Sequence, residues 1–390
     1  VKTIPANVPS SCAGEKLNLR DIHDRGGGKV LKKNQLVLGL VVFVALVALV
    51  VWGRDRIHFD FGVFVSQLKL ADWRKIGIAF ICIYVAYLFR AVRWAMLLRH
   101  IKKVPLFSLL STQVIGFTAV ALIGRIADPV RPYLVSKKTG LPLSNQIAVY
   151  IVERLFDAGS MALIFSATIL LAAWFGGPGA LPHPEVMKKV SYGALASTVA
   201  GALFLVAVRL AGGVVASFLE GTFGVVSKGL GHIIGEKIRA FRTGLDTLRS
   251  FSDFGIAASL SLAMWGLISL AYLEITTAFS ASPQLAGLTL AKCMLLMAAS
   301  MLVSGFQLPV LGWFTQIGAV AAAMSGFFGV AAEPATACAA TLLAVTFLSI
   351  APVGLIWARF EHVSLRKVAA ESEHAEETLA VDEPAGQETP

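Results

Sequence analysis

The sequence predicts an all-α, polytopic membrane helix bundle: about eight spans, a re-entrant broken-helix hairpin and amphipathic helices at the interface. Three observations predict it. Of 390 residues, 56% are hydrophobic and only 15% charged, and the mean hydropathy is +0.73, far from the balance of a soluble domain. Apolar runs of about 20 residues, the length that crosses a ~30 Å hydrocarbon core as helix, recur from Gln35 to Arg359. The basic residues are distributed by side. With the N-terminus inside, most of the 34 fall in cytoplasmic segments, while Arg90, Arg93, Arg154 and Lys292 fall within spans. The net charge of +10 therefore reports orientation, and nucleic acid is not expected as a partner.

Residues 1–34, polar and interrupted by Gly26, Gly27 and Gly28, read as a flexible cytoplasmic tail. A membrane domain follows over 35–362, with spans at 36–53, 76–98, 146–174, 190–209, 254–280, 286–303, 310–330 and 335–358. The first is read as an uncleaved anchor, because no small-x-small cleavage site follows Trp52. A short stretch from Phe59 to Trp73 is expected along the outer face. Between Val215 and Leu248 apolar residues recur at steps of three and four, with Lys237, Arg239, Arg242 and Arg249 off the stripe. That pattern predicts one or two amphipathic helices on the inner surface. Residues 363–390, rich in glutamate from Glu371 to Glu388 and nearly free of large apolar side chains, read as a disordered acidic cytoplasmic tail. Cys12, Cys82, Cys293 and Cys338 offer no disulfide framework, three of them lying in spans.

The stretch from Leu122 to Gly140, LIGRIADPVRPYLVSKKTG, interrupts this pattern. Val104 to Ile123 is long enough to cross, but a crossing would place Arg125, Arg131, Lys137 and Lys138 outside and invert the charge rule for all that follows. A hairpin that enters and returns keeps them inside. Pro129 and Pro132 lack backbone donors and disfavour helix in the residues before them, and Gly124 tolerates the conformations of a break. Backbone freed in this way within a bilayer persists only where it is buried in protein or lines a wet cavity.

Ionisable side chains sharpen this expectation, since at membrane depth they face the bundle interior or water. Arg125, Asp128 and Arg131 are three apart, with Tyr133 beside them. The next span opens YIVERLFDAGS, where Glu153 and Asp157 share a face and Arg154 reaches Asp157 at i+3. Three acids and three arginines are expected to meet near the inner leaflet, either as a neutral lattice clamping the hairpin or as guanidinium groups that bind an anionic headgroup while the carboxylates orient them. A second interruption, SGFQLPVLGWFTQIG from Ser304 to Gly318, carries Gln307 and Gln316. Paired broken helices in two halves of a membrane chain point to a midplane transport site. Glu274 and Lys292, on adjacent spans, are a candidate intramembrane pair.

At RAVRWAMLLRH (Arg90 to His100), GRIADPVRPYLVSKKTGLPLS (Gly124 to Ser144) and VERLFD (Val152 to Asp157), in that order and spacing, the chain resembles the lysylphosphatidylglycerol synthase transmembrane-region family, a flippase-like (YbhN-type) membrane domain. The likeness covers roughly 36 to 360. It implies a lipid-handling protein of the bacterial inner (cytoplasmic) membrane, with both termini cytoplasmic. Asp128 stands where the family usually has glutamate, and Gln316 where the late motif has one, while Pro309 and Gly312 match. Nothing after Arg359 forms the aminoacyl-transferase domain of the full-length synthases, so lysyl transfer is not expected.

The functional expectation is a non-enzymatic lipid transporter that binds or moves a phosphate-bearing headgroup through a polar groove between the broken helices. Arg125, Arg131 and Arg154 would hold the phosphate and Asp128, Glu153 and Asp157 would serve as their partners. The alternative is an accessory subunit, working with a partner enzyme, or an enzyme of lipid or lipid-linked glycan biosynthesis, with a purely structural charged lattice. Against the enzyme, Arg131 and Pro132 match the arginine-proline pair of membrane lipid phosphatases, yet Gly124 replaces their lysine and Phe306 their histidine. No cofactor or metal is expected, because the seven histidines never fall at ligand spacing and the acidic residues cluster only in the tail. Membrane lipids, anionic or phosphate-bearing, are the expected partners.

Overall fold

The computed structural model describes residues 60–177, 179–224, 250–304 and 311–365, together with 368, 371 and 372. The tail 1–34, the anchor 36–53, the basic part of the amphipathic stretch and Gln307 lie outside these residues. Among the described residues the regular structure is helical throughout.

Helix α1 (Phe61–Leu70) starts at Asp60, whose carboxylate accepts from the amides of Gly62 and Val63, the usual work of an N-cap aspartate. Asp72 caps α2 (Trp73–Leu98) in the same way through the amide of Arg74. Helix α3 spans Leu106–Ile123, α4 Val130–Thr139, α5 Leu143–Phe175 and α6 Pro184–Gly224. Helix α7 (Phe251–Ala278) opens with a capping box between Ser250 and Asp253. The short α8 (Pro283–Ala286) leads to α9 (Leu290–Ser304), α10 (Leu311–Phe328) and α11 (Ala332–Leu343). A π-helical turn (Ala344–Leu348) then joins α11 to α12 (Ile350–Phe360).

Among the described residues, six helical stretches are long and apolar enough to cross a bilayer: Trp73–Leu98, Leu106–Ile123, Leu143–Phe175, Pro184–Phe223, Phe251–Ala278 and Ala332–Phe360. Five coincide with predicted spans; the other is the first arm of the predicted hairpin. The spans expected at 286–303 and 310–330 appear as the shorter pair α9 and α10. Val215 to Gly224 lies in a helical segment that follows a kink at Ala211, where φ is −133° and ψ 38° and two helices join within α6, so the break expected after the span 190–209 falls where the helix bends.

Helices α2 and α7 form the antiparallel centre. The Asp72 amide donates to the Ala278 carbonyl at 2.9 Å, and at the opposite end Arg99 and His100 both engage the buried Asp253 carboxylate. The main core runs between α2, α7, α9 and α11 through Ala79, Met264, Ile275, Met294 and Cys338, all fully enclosed.

Helices α3 and α4 form a closed antiparallel hairpin. Gly124, at φ 97° and ψ −170°, occupies backbone space open only to glycine. A single 3₁₀ turn at Arg125–Ala127 completes the reversal. At the far end, Lys138 Nζ donates to Ser111 Oγ (2.7 Å) and Lys102 Nζ to the Thr139 carbonyl (2.6 Å), so both feet of the hairpin lie together. The interruption expected around the prolines falls between Ile123 and Val130. Pro129 precedes α4 and Pro132 lies in its first turn, where amides have no intrahelical partner in any case.

Just past the π turn, side chains of neighbouring helices reach the backbone: Tyr84 Oη donates to Ser349 O (2.9 Å) and Thr118 Oγ1 to Ile350 O (3.2 Å). The expected acidic tail begins with packed residues. Val368 is buried against the hairpin, Tyr133 Oη donates to Glu371 (2.9 Å), and Lys137 pairs with the same carboxylate at 3.0 Å.

Candidate functional site

Three helices bring ionisable side chains to one place inside the bundle. Helix α2 contributes Arg90 and Arg93, α4 contributes Arg131 from its first turn, and α5 contributes Glu153, Arg154 and Asp157. At 1.5 Å per residue, Arg93 and Arg90 lie about 8–12 Å along α2 from its end at Leu98. Glu153 Oε1 is shared by Arg154 at 2.8 Å, Arg93 at 3.0 Å, Arg131 at 3.4 Å and Arg90 at 3.7 Å. Asp157 meets Arg93 at 2.6 Å, Arg154 at 2.9 Å and Arg90 at 3.6 Å. All except Arg154 are nearly inaccessible to solvent.

Arg131 is wholly buried and held on every side. Its guanidinium lies over the rings of Phe117 (4.4 Å) and Tyr150 (4.9 Å), where cation–π attraction partly replaces lost hydration. Its Nη1 donates to Gln113 Oε1 at 3.3 Å. The side chain reaches this position because Gly116, opposite it on α3, has none: a Cβ there would collide with Arg131 Cγ. Arg93 is fixed by Asp157 and by Ser261 of α7.

The lattice is not neutral. Four arginines surround two carboxylates, leaving two positive charges in excess. Hydrogen bonds leave buried donors over, among them Arg90 Nη1, Arg93 Nε, Arg131 Nε and Arg154 Nε. Buried ionic groups without full compensation are costly, so this excess calls for an anion or water.

A cavity of about 310 Å³ opens in front of the lattice, with Arg90, Arg154 and Asp157 on its wall. Arg93, Arg131 and Glu153 stand behind them as a rear layer. The remaining wall is largely apolar, from Ile83, Phe117, Trp265, Met301 and Phe347. Thr346 and Phe347 come from the π turn, which therefore forms part of this cavity's wall. A second, apolar groove of about 370 Å³ lies between α5, α6 and α7, and the two share Ala158 as a wall.

The expected set of three acids and three arginines is thus partly redrawn. Arg131, Glu153, Arg154 and Asp157 meet as expected, whereas Arg125 and Asp128 pair with each other at 3.4 Å at the cavity mouth. Arg125 turns toward α9 and donates to the Ser304 carbonyl (3.0 Å) and hydroxyl (2.8 Å), while Asp128 shares the cavity wall with Arg154 and lies within its electrostatic reach. Tyr133 faces the C-terminal segment through Glu371. Gln316 donates to Ser300 Oγ at 2.6 Å and bridges α10 to α9 rather than lining the cavity. Glu274 and Lys292 do not pair; the Lys292 ammonium instead sits 5.8 Å from the Phe328 ring centre. Arg90, Arg93, Gln113 and Ser261 were not among the expected site residues. The signal for the first two was present as two arginines three apart on an apolar span.

The two interruptions meet. Arg125, at the tip of the α3–α4 hairpin, bonds Ser304 at the end of α9, and Trp313 Nε1 of α10 donates to the Ala121 carbonyl near the end of α3 at 2.9 Å.

Fold and site together define an integral, multi-pass membrane protein with a buried, net-positive cavity at the junction of two interrupted helix pairs. Residues 36–354 match the model of the lysylphosphatidylglycerol synthase TM region, and the chain belongs to that family. Comparison with curated proteins and with solved structures yields no match.

Proposed function

We propose that this protein translocates or binds a phosphate-bearing membrane lipid, admitting the headgroup to the arginine-lined cavity while the acyl chains stay in the bilayer. One observation carries the reading: the positively charged cavity opens where the α3–α4 hairpin bonds the end of α9 and the first turn of α10. Unpartnered guanidinium donors at membrane depth suit an anionic headgroup, and interrupted helices are where membrane proteins build polar sites. The α3–α4 hairpin is re-entrant in this reading, its feet at the inner face of the inner membrane and both chain termini cytoplasmic. Arg90 and Arg154 contact the phosphate, and Arg93, Arg131 and Glu153 hold them in place. The apolar groove walled by Ala158 gives the first carbons of a chain somewhere to lie. Movement of a lipid in this way needs no covalent chemistry, so the protein acts as a carrier rather than an enzyme.

The test is reconstitution of the full chain in liposomes carrying labelled anionic phospholipid in one leaflet. Transfer between leaflets should depend on the protein and fall sharply in Arg90→Gln and Arg154→Gln. Transfer at the unaltered rate in both variants would remove the assigned site.

A further inference from the structure

The charge balance of the cavity narrows the headgroup. Four arginines and two carboxylates form the lattice, and among the described residues the other ionic groups on the cavity wall, Arg125 and Asp128, neutralise each other. A ligand that balances the site therefore carries two negative charges. A phosphodiester brings one. A zwitterionic headgroup brings none, and its ammonium would find Asp157 and Asp128 already taken by arginines. A terminal phosphate has a second ionisation near pH 6 and presents three acceptor oxygens, which suits Arg90, a residue more than nine-tenths buried at the cavity wall whose Nη1 makes no hydrogen bond and lies 3.6 and 3.7 Å from the Asp157 and Glu153 carboxylates.

Size and polarity narrow it further. At about 310 Å³ the space lies at the small end for ligand sites, enough for a phosphate or diphosphate and too little for an attached glycan. The apolar part of the wall, with Phe117, Trp265 and Met301 facing the same space as the arginines, suits carbon next to the phosphoryl group rather than a fully hydrated free ion. Resting on the headgroup-binding reading above, we infer that the cavity is built for a phosphoryl dianion at the end of a lipid: a terminal phosphate monoester in preference to a phosphodiester.

The full chain in detergent micelles would be titrated at pH 8 with phosphatidic acid, phosphatidylglycerol and phosphatidylcholine of identical acyl chains, binding being read by native mass spectrometry. One extra ligand charge beside a low-dielectric site of net +2 should make phosphatidic acid bind tighter than phosphatidylglycerol by at least about tenfold. Lowering the pH from 8 to 5 removes that second charge and should erase the preference in the unaltered protein, which needs no variant to fold. Arg154→Gln, at the part-exposed position, should bring the ratio toward one at pH 8. Equal binding of phosphatidic acid and phosphatidylglycerol, both lost in Arg90→Gln, would overturn the dianion assignment and leave the headgroup site standing. Binding of every lipid unaffected by Arg90→Gln and Arg154→Gln would overturn both. Inorganic phosphate or diphosphate displacing phosphatidic acid at concentrations as low as the lipid's own would overturn the lipid tether and assign the dianion to a soluble ion.

Discussion

Replacing Glu153 by glutamine keeps the shape of the side chain and removes the charge that four arginines share. Its Oε1 lies 2.8, 3.0, 3.4 and 3.7 Å from Arg154, Arg93, Arg131 and Arg90. At an effective dielectric of about 20, each contact near 4 Å or closer is worth roughly 4 kcal/mol before desolvation. Ionising a buried carboxylate offsets several kcal/mol of that gain. Without the carboxylate the four guanidinium groups face only Asp157, so their mutual repulsion rises as the attraction disappears. The expected net loss in Glu153→Gln is about 3–5 kcal/mol, the range for removing one partner of a buried ionic set. The assay is equilibrium unfolding of the purified full chain in mixed micelles, with Glu185→Gln as the reference, since the exposed pair of Glu185 with Lys188 should be worth no more than about 1 kcal/mol. The double variant Glu153→Gln with Arg131→Met should recover part of the loss, because it also removes one now-unbalanced cation. A Glu153→Gln protein within about 1 kcal/mol of the parent would refute the claim that this carboxylate holds α2, α4 and α5 together.

Gly116→Ala places a methyl where Arg131 Cγ runs, and with Arg131 enclosed the overpacking should cost about 1–3 kcal/mol in the same unfolding assay and weaken lipid transfer. Cysteines introduced at Lys137 and at Gly179, which flank the two ends of α5, should react with an impermeant label from opposite sides of oriented vesicles; labelling from one side would refute the re-entrant hairpin. Trp313→Phe keeps the ring and removes the donor to Ala121 O, so it should cost about 0.5–1.5 kcal/mol and loosen the contact between the two tips, seen as faster hydrogen exchange at the end of α3. Hydrogen bonding to Tyr133 and then to Glu371 raises the Lys137 ammonium above its ordinary value of 10.5. A raised value in the folded state means the contact with the C-terminal segment is fully present below pH 10.5 and is lost as the pH rises past the shifted value. Protease cleavage near residue 371 should therefore accelerate in strong alkali, and already at neutral pH in Glu371→Gln.

What the sequence conveyed about this protein divides along physical lines. Helix existence and rough bounds were legible because hydropathy is summed over some 20 residues and survives local error. The pairing of Arg154 with Asp157 was legible because helical geometry fixes i, i+3 neighbours. The place of Arg90 and Arg93 was not, since Arg93 and Asp157 are 64 residues apart and only the packing of α2 on α5 joins them. Arg125 shares the cavity wall with Arg154 and Asp157 but does not join Arg131 as the spacing of three suggested, because Gly124 and a 3₁₀ turn re-aim the chain before α4 begins. The interruption at the prolines was legible, but the return arm that follows was less so, because Pro129 precedes α4 and Pro132 lies in its first turn, where a missing amide hydrogen is harmless. The absent pairing of Glu274 with Lys292 follows from the same limit, as adjacency of spans says nothing of which faces meet.

The contact between the two interruptions bears on how a headgroup could reach the arginines. Arg125 spans from the mouth of the cavity to Ser304, and its own carboxylate partner Asp128 lines the same mouth. An entering anion would compete for Arg125 against two neutral acceptors and one carboxylate 3.4 Å away. Arg125 is part-exposed, so that competition takes place where ion pairs are weak and readily exchanged, unlike the enclosed set around Glu153. Binding at the mouth would then free Ser304 and leave Trp313 to Ala121 as the described hydrogen bond between the tips. Arg125→Gln should therefore slow lipid transfer while leaving unfolding stability within about 1 kcal/mol of the parent, a separation that no residue of the enclosed lattice should give. Loss of stability as large as that in Glu153→Gln would place Arg125 among the structural groups and remove it from the path.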